Sequence, residues 1–399
     1  MLRFSVAEPK SRQEQGSMYC RALASFVVCL TAVAAFGVQS KPQIMPEDQV
    51  KTGMHGVAYT VFEGTKPEAM DVEILGVLRD MAGPQADVIL ARLHGSKVEY
   101  TGVVAGMSGS PVYIDGKLVG AIAYRIGEFS KEPICGITPA ASMLEIDEMD
   151  KTPLTDVSHT AGALKQEVNR TSGPGLPSDA GSQSGFANLL KPIDTPLVFT
   201  GFSTETMRLF AKDFSSAGVV PVMGAGSVSN DKQPEPLEPG SAVSAILVRG
   251  DMNIAGTCTV TYIDDSHLLA CGHPFLQAGG VDMPMTKATV LATLPSPENS
   301  FKIVNTTETV GAFVQDRRAG IMGRFDRAPH MIPVTLTFNG VSHPKQFHYE
   351  VLNNAKITPA AMMATVFNAI QGMNEYGEDT TYRLVGDIDV LGYPKLSVK

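Results

Sequence analysis

The segment AGMSGSPVYIDGKLVGAIAYR, residues 105–125, joins a glycine-rich loop to a β-hairpin. Two short apolar runs, residues 112–114 and 118–123, flank the dipeptide Asp115-Gly116. Asp-Gly between apolar runs is a strong signal for a two-residue hairpin turn. The preceding Gly-Met-Ser-Gly-Ser-Pro is harder to explain, because a turn needs one glycine with a positive φ. This loop is therefore either an ordinary connection between strands or a functional site.

The composition predicts a mainly β protein with more than one domain. The chain has 399 residues, of which 38 are glycine, 26 are proline and none is tryptophan. This length favours two or three domains, and the glycine and proline content favours short strands joined by tight turns over a helix bundle. The net charge is −9, with no block of lysine or arginine. A nucleic-acid partner is therefore not expected, since it requires a concentrated basic surface.

The N-terminal region has the pattern of an export signal. Residues 22–37, ALASFVVCLTAVAAFG, form a short apolar run directly after Arg21. Such a run is short for a membrane span, and cleavage after Gly37 or Ser40 fits the small residues there. We expect export across the cytoplasmic membrane to a periplasmic or extracellular location. The alternative is an uncleaved anchor helix, which would be the protein's one contact with a membrane.

The remaining sequence divides into two β-rich blocks separated by a linker. Residues 160–185 are rich in glycine, serine and proline, which is typical of a flexible linker. Helices are predicted at about 203–217 and 359–371 from the apolar spacing and the capping residues. The predicted organisation is a signal region 1–40, a β-rich domain 41–155, a linker 156–185, a mixed α/β segment 186–241, a second β-rich domain 242–350, and a C-terminal helix and strand 351–399.

The glycine-rich loop suits a nucleophilic serine. Such a serine needs a base to take its proton and backbone N–H groups directed at the developing oxyanion. The N–H groups of Gly106 and Ser108 can converge on one point, and Gly109 leaves room for a substrate. The loop resembles the Gly-Asp-Ser-Gly-Gly-Pro loop of chymotrypsin-like proteases, which makes Ser108 the nucleophile. It does not fit the G-x-S-x-G elbow of α/β-hydrolases, because the fifth residue is Ser110.

His273 is the best candidate for the base among eight histidines. It ends the predicted hairpin GTCTVTYIDDSHLLACGHPF, residues 256–275, and lies between a glycine and a proline. A histidine at the end of a barrel strand can point into a cleft. Without a nearby nucleophile, a core histidine would be the simpler interpretation.

The chain resembles the stage IV sporulation protein B (SpoIVB) peptidase family of serine proteases in three separate blocks. These are the serine loop with the following DGKLVGAIAY, the histidine block 256–275, and ETVGAFVQDRRAGIMGRF at 308–325. The resemblance implies Ser108 as nucleophile, His273 as general base and a chymotrypsin-like double β-barrel. In the sporulation protease the histidine block comes first, so the two barrels here stand in permuted order. A catalytic site depends on geometry and not on chain order, so this permutation is tolerable.

The third catalytic residue is open at this stage. Asp316 lies in the third block, 43 residues after His273, and we favour it slightly. Asp282 is closer along the chain and is the alternative. A Ser–His pair without an acid also fits the sequence.

Two of the cysteines expected in the mature chain are candidates for a disulfide. If the hairpin turns at Asp264-Asp265, Cys258 and Cys271 face each other across it. An exported protein meets oxidising conditions, which allow a disulfide, whereas a one-residue slip would leave two buried thiols. No Cys-x-x-Cys pair exists, so a structural zinc site is not expected. We also expect no other metal and no cofactor.

The sequence therefore predicts an exported serine endopeptidase acting on a protein or peptide substrate. Two alternatives remain. One is a catalytically silent relative that binds peptides or a partner protein along a barrel edge. The other is an esterase that uses the same Ser–His pair, since ester and peptide hydrolysis share acyl chemistry.

Overall fold

The structure is a computed structural model that describes residues 42–127, 130–147, 190–215, 219–224, 232–296, 300–339, 344–373, 381 and 383–398. The described residues from Gln43 onward belong to one compact unit. The predicted export signal and linker lie outside the described residues. Within the described ranges, no helix is long and apolar enough to span a membrane.

The first sheet closes into a six-stranded antiparallel barrel. The strands of this sheet are β1 (His55–Thr60), β2 (Glu68–Leu78), β3 (Val88–His94), β4 (Pro111–Ile114), β5 (Lys117–Ile126), β6 (Ile134–Pro139) and β7 (Leu190–Pro192), of which the first six form the barrel. The pairing runs β4-β1-β2-β3-β6-β5, and β4 also pairs with β5. Both residues of the predicted hairpin turn have the positive φ that a type I′ turn needs, 51° at Asp115 and 73° at Gly116. The seventh strand, β7, pairs with the end of β5.

The second sheet contains another ring of six strands. The strands of this sheet are β8 (Pro196–Thr200), β9 (Val220–Met223), β10 (Ala242–Gly250), β11 (Asn253–Ile263), β12 (His267–Ala270), β13 (Gly279–Leu294), β14 (Phe301–Arg317), β15 (Gly320–Arg324), β16 (Met331–Phe338) and β17 (Lys345–Leu352). The pairing β10-β13-β14-β15-β12-β11 returns to β10 and closes the ring. The hairpin β16–β17 and the parallel pair β8–β9 extend the sheet on either side.

The described helices lie outside the barrels and are few. They are α1 (Ser96–Thr101), α2 (Ala140–Leu144), α3 (Thr204–Ser215) and α4 (Thr358–Met373), with 3-10 turns at Glu47–Gln49 and Glu145–Asp147 and a small hairpin of β18 (Gly386–Ile388) and β19 (Leu396–Val398). The two predicted helices are confirmed as α3 and α4. The Oγ of Ser203 caps α3 by accepting the N–H of Thr206 at 3.1 Å.

Each barrel has its own apolar interior, which explains why the alternating strands close on themselves. Ile74, Ile89 and Leu93 are fully buried in the first barrel. Phe313 and Val260 are fully buried in the second. The prediction of a mainly β, chymotrypsin-like double barrel is confirmed, and the site depends on how the loops of one barrel meet the strands of the other.

Candidate active site

The serine loop leads into β4 at the surface where the two barrels touch. Gly106 and Gly109 have φ values of +97° and +96°, which side-chain-bearing residues rarely adopt. The N–H of Gly109 donates to the carbonyl of Ile122 at 2.8 Å, and the Oγ of Ser110 donates to the carbonyl of Met107 at 2.6 Å. Ser110 is therefore committed to bracing the loop, which agrees with the choice of Ser108 as the nucleophile.

Strand β11 of the second barrel holds this loop in place. The N–H of Thr259 donates to the carbonyl of Ser108 at 2.8 Å, and its hydroxyl donates to the carbonyl of Gly106 at 2.9 Å. The hydroxyl of Thr261 donates to the carbonyl of Gly109 at 2.7 Å. A Cβ on Gly109 would lie 1.9 Å from the carbonyl oxygen of Thr259, so only glycine allows this contact between the barrels.

The N–H groups predicted for the oxyanion site remain available. In the described ranges, the N–H groups of Gly106 and Ser108 have no acceptor, whereas that of Met107 donates to the carbonyl of Val104 at 3.0 Å. Free N–H groups flanking a serine are what the oxyanion of an acyl-transfer reaction requires. The loop can therefore offer two donors next to the Ser108 hydroxyl.

His273 reaches the same contact surface from the second barrel. The chain leaves β12 through Cys271 and Gly272, with φ values of 68° and 70°, and the carbonyl of Gly272 accepts the hydroxyl of Thr138 from β6 at 2.6 Å. A Cβ on Gly272 would lie 3.0 Å from the Cβ of Ala123 on β5. The turn before His273 is thus packed directly on β5, the second strand of the hairpin that follows the serine loop.

The hydrogen bond of His273 fixes which ring nitrogen carries the proton. Its Nδ1 lies 2.8 Å from the carbonyl of Pro274, and a carbonyl can only accept, so Nδ1 is protonated and Nε2 is the free acceptor. Burial lowers the pKa of this imidazole below its usual value, although the Pro274 carbonyl and the charge of Asp194 act in the opposite direction. The lowered pKa favours a neutral imidazole, and the hydrogen bond at Nδ1 leaves Nε2 as the nitrogen that can accept a proton.

Two polar atoms at this surface are buried without a partner in the described part of the chain. They are the Oγ of Ser108 and the Nε2 of His273, on side chains that are 0% and 2% exposed. Buried polar groups are nearly always hydrogen-bonded, so each exception calls for an explanation. A hydroxyl and an unprotonated imidazole nitrogen are the two atoms that a serine nucleophile and its base require.

Residues 29–137 match the family model of the SpoIVB peptidase S55 family. The predicted resemblance to the SpoIVB peptidases is confirmed. The matched segment contains Ser108 and ends before His273, so the relationship supports a serine peptidase, and the role of His273 stays a prediction. No curated protein and no solved structure matched this chain.

The two candidate acids are engaged elsewhere. Both carboxylate oxygens of Asp316 accept backbone N–H groups of the loop after His273, from Phe275 at 2.8 Å, Leu276 at 2.7 Å and Ala278 at 3.2 Å. Asp282 accepts from Nδ1 of the exposed His330 at 2.9 Å. The carbonyl of Pro274 takes the position on Nδ1 that a catalytic acid would occupy. The identity of a third catalytic residue therefore stays a prediction, and the contacts of Asp316 are those of a residue that positions the histidine loop.

Lys302 is a feature of the site that the sequence analysis missed. It is 2% exposed, and burial lowers the pKa of its amine from 10.5 to about 7. Its stem lies 3.1–3.4 Å from where a Cβ on Gly106 would stand, and its N–H donates to the carbonyl of Ala105 at 3.1 Å. The hydrogen bond to the carbonyl of Ala105 orients the peptide group that also carries the N–H of Gly106. The period-two pattern of FKIVNTT, residues 301–307, could have placed Lys302 on the inward face with Val304.

The amine of Lys302 starts a chain of hydrogen bonds that ends at the serine loop. Its Nζ donates to the hydroxyl of Thr60 at 2.6 Å, which lies 3.5 Å from the hydroxyl of Thr259. Because the proton of Thr259 is directed at the carbonyl of Gly106, Thr60 donates to Thr259 in this pair. Lys302 is therefore connected to the carbonyl of Gly106 in the serine loop through the hydroxyls of Thr60 and Thr259.

The structure joins Cys258 and Cys271 in a disulfide, with their Cα atoms 5.1 Å apart. This confirms the disulfide and contradicts the alternative of two buried thiols, but the predicted register was wrong. The hairpin pairs Val260 with Ala270, because the carboxylate of Asp264 accepts the N–H groups of two residues that follow it and lengthens the turn. The disulfide lies directly before the turn that carries the histidine.

Proposed function

We propose that this protein is an exported serine endopeptidase in which Ser108 is the nucleophile and His273 is the general base. One observation carries the proposal: the hydroxyl of Ser108 and the unprotonated Nε2 of His273 are both buried without partners on loops that meet between the two barrels. The match of residues 29–137 to a peptidase family supports the reaction class.

The chemistry follows from these two atoms. Ser108 Oγ attacks the carbonyl carbon of the substrate peptide while its proton moves to Nε2 of His273. The N–H groups of Gly106 and Ser108 stabilise the negative charge on the substrate oxygen. The carbon–nitrogen bond then breaks, and the leaving amine takes the proton from His273. A water molecule attacks the acyl-enzyme, gives its proton to His273 and releases a carboxylic acid, with the proton returned to Ser108.

Asp316 has a supporting part in this proposal. Its carboxylate holds the loop of residues 274–278 through three N–H groups, and burial raises its pKa above the usual value although those N–H groups act in the opposite direction. We expect Asp316→Asn to reduce kcat by about tenfold to a hundredfold, because the loop loses charge-assisted bonds. A residue that contacts the imidazole would instead change the pH profile of kcat/KM, so that profile separates the two roles.

Export is proposed from the apolar run 22–37 and gains support from the disulfide of the histidine hairpin. Structural disulfides form in exported proteins and are rare in the cytosol. Fractionation of cells that express the full chain, followed by mass spectrometry of the mature N-terminus, tests the location and the cleavage after Gly37 or Ser40. Retention of the complete N-terminus on a cytosolic protein would contradict export.

Reaction with a fluorophosphonate probe, alongside hydrolysis of an unfolded protein substrate, tests the catalytic pair. We expect labelling and hydrolysis by the natural protein and by Ser110→Ala, and loss of both in Ser108→Ala and His273→Ala. Circular dichroism shows whether each variant is folded. If Ser110 proved essential and Ser108 dispensable, the assignment of the loop would be wrong.

A silent peptide-binding relative is the alternative, and the complete burial of Ser108 is the observation that favours it. Binding of peptides without Ser108-dependent labelling would support that alternative. An esterase would take the label and hydrolyse small esters but leave protein substrates intact.

A further inference from the structure

The edge of β5 beside the serine loop is already paired with a segment of the same chain. β4 pairs with the first half of β5, and β7 pairs with its last residues. The β7 pairing is antiparallel, with the partners Tyr124↔Pro192, Arg125↔Lys191 and Ile126↔Leu190. An extended peptide that adds a strand to a sheet edge is a common mode of peptide recognition. Here the added strand reaches the sheet from a distant part of the sequence.

The pairing continues to the serine loop itself. The N–H of Ile193 donates to the carbonyl of Ala123 at 2.8 Å, and the N–H of Gly109 donates to the neighbouring carbonyl of Ile122 at 2.8 Å. Adjacent carbonyls normally point to opposite edges of a strand, but the β5–β6 register shifts between Ile122 and Tyr124. This irregularity lets one edge of β5 hold both the serine loop and residues 190–193.

The side chains of this segment are recognised individually. Ile193 is 1% exposed and belongs to the apolar core of the first barrel. The carboxylate of Asp194 forms a salt bridge with the largely buried guanidinium of Arg125. Arg125 also lines a cavity of about 300 Å³ that includes Gly102 and Val103, which precede the serine loop.

The segment also lies close to the histidine. The charge of Asp194 acts on the imidazole of His273, and directly after Asp194 the chain enters β8 of the second barrel. Residues 190–194 therefore pass through the region where the serine loop and the histidine turn meet. Ser108 and His273 are buried with this segment in place.

We propose that the β5 edge next to Ser108 is the peptide-binding groove of this site and that residues 190–194 lie in it as an internal peptide. The proposal rests on the function proposed above and names its substrate class. The groove takes an extended peptide with an apolar residue at the position of Ile193, followed by an acidic residue that pairs with Arg125. A peptide from another molecule must displace the internal strand before it binds.

A binding experiment with the full chain tests this inference. The probe is a fluorescein-labelled peptide Leu-Lys-Pro-Ile-Asp, which has the sequence of residues 190–194, and the readout is fluorescence anisotropy. All proteins carry Ser108→Ala, so the result does not depend on catalysis. Ile193→Ala removes the apolar anchor of the internal strand and leaves the groove free for a larger fraction of the time. We expect this protein to bind the probe about tenfold or more tightly than the protein with the natural strand.

A control lies on the surface away from the groove. Lys212→Ala changes an exposed side chain of α3, and we expect it to leave the affinity for the probe unchanged. If Ile193→Ala does not fold, Asp194→Asn weakens the strand through its partly exposed salt bridge and should raise the affinity in the same direction. A probe with serine in place of isoleucine should bind about tenfold more weakly.

Equal affinity of the Ile193→Ala and Lys212→Ala proteins for the probe would overturn the inference, as would equal binding of the two probes. This outcome is distinct from failure of the proposed function. Absence of Ser108-dependent labelling would contradict the proposed enzyme activity but not the peptide-binding groove. Equal binding of the probe in these comparisons would contradict the groove but not the enzyme activity.

Discussion

Replacing Lys302 by methionine should stabilise this protein at neutral pH. Lys302 is buried, its Nζ bonds to the hydroxyl of Thr60, and burial alone lowers its pKa from 10.5 to about 7. Methionine keeps a stem of similar length against Gly106 and brings no charge. Well-packed apolar residues often replace buried charges with no loss of stability, or with a gain.

The size of the effect follows from the shift in pKa. A change from 10.5 to about 7 corresponds to about 5 kcal/mol, at about 1.4 kcal/mol for each pKa unit. Losing the bond to Thr60 costs about 1 kcal/mol, so Lys302→Met should raise the free energy of unfolding by about 4 kcal/mol below pH 7.

The gain should disappear as the pH rises. Between pH 7 and 10.5 the amine is protonated in the unfolded chain and neutral in the folded one, so the natural protein becomes more stable with pH in this window. Below pH 7 both states are protonated and the full cost of the buried charge is present. The difference between the variant and the natural protein should therefore fall from about 4 kcal/mol to about −1 kcal/mol by pH 10.5.

Urea unfolding of both proteins at several pH values between 6 and 10.5 measures this difference, and effects of other titrating groups cancel in it. The exposed Lys212 on α3 offers a control, because Lys212→Met should show no such dependence on pH. A Lys302→Met protein that is less stable at pH 6, or a difference that does not change with pH, would refute the reasoning.

Three further predictions concern the meeting of the two barrels. Gly109→Ala should lower the free energy of unfolding by about 4 kcal/mol or more, because the new Cβ would overlap the carbonyl of Thr259. Thermal unfolding measures this change. Gly372→Ala is the control that should not be destabilised, because no atom lies within 4 Å of the Cβ it would add. Reduction of the Cys258–Cys271 disulfide should cost about 3 kcal/mol from loop entropy, seen as a lower Tm with dithiothreitol, and an unchanged Tm would contradict it. Because the pKa of His273 is lowered, kcat/KM should hold down to pH 6.5 and fall below it, and an acidic limb above 6.5 would argue against His273 as the base.

Local signals in the sequence were sufficient for the parts that depend on a few neighbouring residues. The Asp115-Gly116 turn, the N-cap of α3 and the serine loop each follow from backbone conformations that only certain residues adopt. Alternating strands in two blocks also predicted the mainly β fold. In the histidine hairpin the same reasoning failed by two residues next to the turn and by one residue at Val260, because the Asp264 carboxylate stabilises a longer turn.

The arrangement of the site was decided by contacts between residues far apart in the chain. The residues around Lys302 in the sequence do not indicate that its amine donates a hydrogen bond to Thr60. That bond joins residues 242 positions apart. The pairing of β7 with β5, and the Pro274 carbonyl that takes the place of an acid on His273, likewise appear only in the folded chain. The physical reason is that burial and hydrogen bonding across a barrel interface are set by which surfaces pack together, whereas turns and caps are set by the local backbone.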